Sequence, residues 1–114
     1  MLRHLPDEAP DEVFETIRSA PGFNIERIVS RGQATPEGQW YDQPQHEWVL
    51  LVQGSARLRF ERPARTVELG PGDWVDLPAH CRHRVEWTAP DRQTVWLAVH
   101  WEATNPQVSG VDSS

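Results

Sequence analysis

The sequence predicts an all-β chain, an antiparallel barrel or sandwich with a short N-terminal helical arm, and three observations carry that reading. Apolar residues recur with period two from Phe23 onward. Turn signals of several kinds separate the runs. No helical pattern is interposed between the runs, as parallel βαβ units would require.

Residues 1–22 read as the arm, with one short helix. Pro10 sits near its first turn, Asp11 and Glu12 are well placed there, and Val13, Phe14 and Ile17 form an apolar face. Pro21-Gly22 stops it. Beyond it Phe23, Ile25 and Ile28-Val29 lie among polar residues. Further runs follow at Glu47 to Val52, Ala56 to Phe60, Thr66 to Leu69, Trp74 to Leu77, His83 to Trp87 and Val95 to Trp101, giving about seven short strands. Thr35-Pro36-Glu37-Gly38, Gln53-Gly54-Ser55, Arg62-Pro63, Gly70-Pro71-Gly72-Asp73 and Ala89-Pro90-Asp91 are the turns between them. A barrel domain over 23–104 and a frayed tail over 105–114 complete the expected division, and 114 residues leave room for one domain only.

Charge and composition narrow the chemistry. With 17 acidic against 11 basic residues the net charge is −6, which disfavours nucleic acid and anionic membrane surfaces as partners. Every basic residue is Arg, so Schiff-base and P-loop lysine mechanisms are out. The single Cys81 cannot form an internal disulfide or a zinc site of several thiolates. The first residues lack the character of a secretory signal, and no apolar run approaches the roughly 18 residues of a membrane span, so a cytoplasmic location is the expectation. Six Trp suggest a packed core, a pocket wall or an interface.

Alternation also assigns faces. In Ala56 to Glu61 the residues Arg57, Arg59 and Glu61 face outward, and in His83 to Trp87 the inward set is His83, Val85 and Trp87. Glu47 shares its face with Val49 and Leu51. An inward carboxylate and an inward imidazole are costly unless they meet a partner or a metal, so Glu47 and His83 mark the candidate chemistry.

These residues resemble the cupin family. Glu47-Trp-Val-Leu-Leu-Val-Gln-Gly54 matches the end of the first cupin motif, and Gly72-Asp-Trp-Val-Asp-Leu-Pro78-Ala-His80-Cys-Arg-His83 matches most of the second. The resemblance covers roughly residues 23 to 103 and implies a double-stranded β-helix, the jelly-roll-like barrel of small bacterial cupins, commonly dimeric. The first motif is degenerate. Where the family has His-x-His, one register places Tyr41 and Gln43 and the other Trp40 and Asp42. In the second motif His80 stands where Gly is usual and Trp87 where Asn is usual.

The family's set of three His and one Glu for Fe, Mn, Ni or Zn therefore reduces here to Glu47 and His83, with Gln43 or Tyr41 as oxygen donors and His80 as a further candidate in the turn before His83. Alternation sends His46 away from that face, and the face of His100 is ambiguous. Trp40, Tyr41, Trp87 and Trp96 are the candidate walls of a ligand pocket.

Two functions compete: a cupin holding a divalent metal for oxygenase or isomerase chemistry, and a non-catalytic module that binds a small molecule or senses it without a functional metal. A homodimer is expected from the apolar arm.

Overall fold

The protein is described by a computed structural model over residues 13–102, and every regular element there is a strand. The strands are β1 (Val13–Ala20), β2 (Phe23–Ser30), β3 (Gln45–Gln53), β4 (Ala56–Phe60), β5 (Arg65–Leu69), β6 (Trp74–Leu77), β7 (His83–Thr88) and β8 (Thr94–Glu102). Each of the seven runs read from the periodicity is a strand. The eighth, β1, is a correction, because the expected helix is absent over Val13–Ala20.

That segment folds back at Pro21-Gly22, where Gly22 adopts φ 72°, and pairs antiparallel with β2 from Val13↔Val29 to Ala20↔Phe23. Val13, Thr16 and Ile17 are β-branched and suit a pleated strand, so hairpin pairing overrides the short helical pattern. Residues 1–12, where the arm begins, and the tail over 105–114 lie outside the described residues.

Two antiparallel sheets form the walls. One has the order β1-β2-β8-β3-β6 and the other β5-β4-β7. Their inward residues meet in one core, with Ile28, Val49, Leu51, Trp96 and Ala98 from the first sheet against Leu58, Phe60, Leu69 and Val85 from the second. Gly54 in the β3–β4 turn is required by contact as well as conformation. Its φ is 96°, and a Cβ there would lie 2.4 Å from Thr94 Oγ1 and 2.6 Å from Thr94 Cα. Among the described residues no helix is long and apolar enough to cross a membrane.

Candidate functional site

The apolar plug fills one end of the lumen, and polar side chains take its place toward the other. On β3 the buried series Leu51, Val49, Glu47 ends in the carboxylate, and on β8 the series Trp96, Ala98, His100 ends in an imidazole. Glu47 and His100 are cross-strand partners, so their side chains leave the sheet side by side. Glu47 Oε2 lies 3.2 Å from His100 Nε2, and the side chains are 1% and 2% exposed. Gln43 Nε2 donates to Glu47 Oε1 at 3.2 Å.

His83 enters from the opposite sheet. Its Nδ1 lies 2.9 Å from the Cys81 carbonyl oxygen; that contact requires Nδ1–H as donor, which leaves Nε2 with the lone pair. Nε2 is buried with no hydrogen-bond partner among the described residues. Burial pushes the His83 pKa below its ordinary value, opposed by the bond to Cys81 and by the Glu47 charge. Glu47 and His83 therefore face the same lumen, near enough for one charge to act on the other.

The Tyr41 ring packs 5.5 Å from the His83 ring, and Phe60, its cross-strand neighbour, flanks it at 6.4 Å. Cys81 is half-buried, and burial pushes its thiol pKa up while Arg65 opposes this.

The open register of the first motif is settled by backbone bonding. Tyr41 N donates to His83 O at 2.7 Å, His83 N donates back to Tyr41 O, and His80 N donates to Gln43 O at 2.7 Å. This stitching turns Tyr41 and Gln43 toward the lumen. Trp40 lies on the outer side, with the Arg82 guanidinium 6.0 Å from its ring, and Asp42 is exposed.

Besides Trp40, three expected site residues lie elsewhere. Trp87 is displaced by a bulge between β4 and β7: Arg57 pairs with Trp87 and Leu58 with Val85, which skips Glu86 and flips the alternation. Its ring sits on the outer face, with Arg57 5.3 Å from its centroid. Trp96 is fully buried but packs in the apolar core, where Nε1 donates to Ser30 Oγ at 3.3 Å. His80 has φ 63° and is exposed, with Nδ1 2.8 Å from Asp42 Oδ1. The left-handed backbone there accounts for glycine being the usual residue at that turn.

Two residues belong to the site that the sequence reading left aside. His100 continues the Trp96, Ala98 alternation that fixes its face, and Glu26, 3% exposed, continues the inward set of Ile28 and Ser30 on β2. Both line an open cleft of about 400 Å³ on the concave side of the larger sheet, together with Thr16, Ser19, Asn24 and Gln45.

The donor set does not fit a resident metal. Among the described residues no three His, Cys, Asp or Glu side chains converge on one point. Glu47 Oε1 accepts from Gln43, Glu47 Oε2 lies 3.2 Å from His100 Nε2 without a hydrogen bond, and His80 is turned to the surface. The arrangement supports acid–base chemistry instead, a carboxylate holding an imidazole that lines a cleft.

No family model and no curated protein matches the chain. Solved structures do. A proposed mannose-6-phosphate isomerase of Ralstonia eutropha JMP134 is 51% identical, with 90% of this chain and 94% of that one covered at a TM-score of 0.80. A Cupin 2 conserved barrel domain protein of Salinispora arenicola is 23% identical, covering 83% of this chain and 79% of its own at a TM-score of 0.64. The polyketide cyclase RemF of Streptomyces resistomycificus is 21% identical, with 86% and 70% covered at 0.67. The last two share the fold alone.

Proposed function

The chain belongs to the cupin family, and from that premise we propose that its lumen binds a small hydroxylated carbonyl compound and moves a proton on it, as an isomerase does. The observation that carries the reading is the Glu47–His100 contact at 3.2 Å, buried behind a cleft that the imidazole lines. The resemblance to a proposed sugar-phosphate isomerase supports the same class of reaction.

In such a step His100 takes the proton from the hydroxyl-bearing carbon beside the carbonyl. The resulting enediolate regains that proton at the former carbonyl carbon, while the hydroxyl proton passes from one oxygen to the other. Atoms and electrons balance with no oxidant or reductant. Glu47 keeps the imidazole oriented and stabilises its protonated form, and Gln43 fixes the carboxylate. His83 supplies a second imidazole in the same lumen, its lone pair on Nε2.

A binding module without turnover is the second reading, favoured by the closure of the lumen around Tyr41, Glu47, His83 and His100, each under 5% exposed. Aldose–ketose interconversion by the untagged protein, assayed in chelator with a panel of free and phosphorylated sugars, separates the two. Turnover that Glu47→Gln abolishes supports the isomerase. Saturable binding without turnover supports the module.

A further inference from the structure

We propose that a hollow at the rim of the barrel, walled by Arg62 and Arg82, binds a small oxyanion, the phosphate or carboxylate group of a soluble metabolite. The site is separate from the lumen and does not depend on the acid–base reading of it.

Its position follows from the topology. Phe60, the last residue of β4, lies opposite Arg65 at the start of β5 and His83 at the start of β7. The β4–β5 link and the β6–β7 turn therefore leave the barrel at the same end, and Glu61 N donates to Arg82 O at 3.2 Å across them. Between them lies a space of about 480 Å³ lined by Glu61, Arg62, His80, Cys81 and Arg82. The Cys81 carbonyl that accepts from His83 Nδ1 belongs to this rim, so the hollow borders the turn that holds the buried imidazole.

Charge selects the ligand. Two carboxylates contact the lining, and both are engaged: Glu61 Oε1 by Arg82 Nε at 2.6 Å, and Asp42 Oδ1 by His80 Nδ1 at 2.8 Å. Arg82 Nη1 also stands 4.0 Å from Asp42 Oδ2. Arg62 is exposed at the hollow with no ion-pair partner among the described residues. Arg65 lies 4.2 Å over the Phe60 ring, an arrangement that leaves the edge of the guanidinium, with its N–H groups, for a second partner. Its charge reaches the hollow, since it opposes the burial that pushes the Cys81 thiol up. Three guanidinium groups thus stand against two carboxylates, a local positive excess in a chain of net charge −6. Planar N–H pairs match the paired oxygens of a carboxylate or phosphate. Half-buried Cys81 forms one wall, so an anion beside it is screened less than on open surface.

Inorganic phosphate and malonate, titrated separately into the full-length protein at constant ionic strength, test this through the backbone amide NMR signals of Arg62, Cys81 and Arg82. At least one anion is expected to saturate these shifts, and the tighter of the two identifies the group. Arg62→Gln and Arg65→Gln are each expected to weaken binding roughly tenfold. Arg92→Gln, in the β7–β8 turn at the opposite end, is expected to leave binding unchanged. The bound anion also slows alkylation of Cys81 by iodoacetamide, a neutral reagent. Both rim arginines are exposed, so unfolding midpoints near the parent's show that the variants remain folded. Failure of both anions to saturate overturns the proposal. So does binding that either rim substitution leaves unchanged, binding that Arg92→Gln weakens as much, or alkylation indifferent to the anion.

Discussion

Glu47 on β3 and His100 on β8 are direct cross-strand partners whose side chains meet at 3.2 Å inside the barrel, at 1% and 2% exposure. Strand register alone delivers this contact, since opposed residues on one face of an antiparallel pair have neighbouring side chains. It uses the carboxylate that the family resemblance assigns to a metal, and it makes an imidazole the group that meets the cleft.

Removing the carboxylate is therefore expected to cost stability as well as function. Glu47→Ala leaves Gln43 without its acceptor and His100 without its neighbouring carboxylate in a buried site, and a loss of about 3 kcal/mol is expected in denaturant unfolding. Glu47→Gln keeps the shape and one acceptor oxygen, so it retains most of the stability while losing the charge. Equal destabilisation by both variants contradicts this account.

His83 gives the protein a pH dependence of known sign. Its folded pKa lies below the ordinary value of about 6.5, chiefly through burial. Between the unfolded and folded values the unfolded chain holds the proton and the folded chain does not, so stability rises with pH across that window. Stability is full above the unfolded value and is lost as pH falls toward the lowered folded one. Unfolding free energies of the parent and His83→Gln, compared at pH 8 and pH 5, read the contribution. The parent is expected to lose more on acidification, and parallel profiles contradict the assignment.

His80 is the inexpensive control. At φ 63° it pays a conformational cost that glycine does not, although its ring contacts Asp42. His80→Gly is expected to change stability by no more than about 1 kcal/mol and to leave ligand binding untouched. Loss of binding places His80 in the site after all.

Gly54→Ala is expected to destabilise by about 2 kcal/mol, because the added Cβ meets Thr94 backbone and side chain at a positive φ. Thermal unfolding checks it, and an unchanged midpoint means the turn is free to move.

Much of this was legible in the sequence where a single strand's alternation suffices. Glu47 with Val49 and Leu51, and His83 with Val85, point inward as the period of two requires. The misses share a cause in pairing between strands. Trp87 leaves the lumen because a bulge opposite Arg57 and Leu58 shifts its parity, which no periodicity within β7 discloses. The face of His100 was hidden because β8 is apolar on both sides, Trp96 and Ala98 within and Val95, Leu97 and Val99 without. Val13–Ala20 lacked a strong period, and only its hairpin with β2 makes it a strand. The choice between Tyr41 with Gln43 and Trp40 with Asp42 needed the backbone bonds to His83 and His80.

The most direct measurement is solvent deuterium wash-in. D-mannose is incubated in D₂O with the untagged protein and a chelator, and loss of the proton at the carbon beside the carbonyl is followed by NMR. The account predicts exchange above the buffer rate that falls by roughly a hundredfold or more in both Glu47→Gln and His100→Gln. Exchange that ignores both substitutions, or that the chelator abolishes, contradicts it.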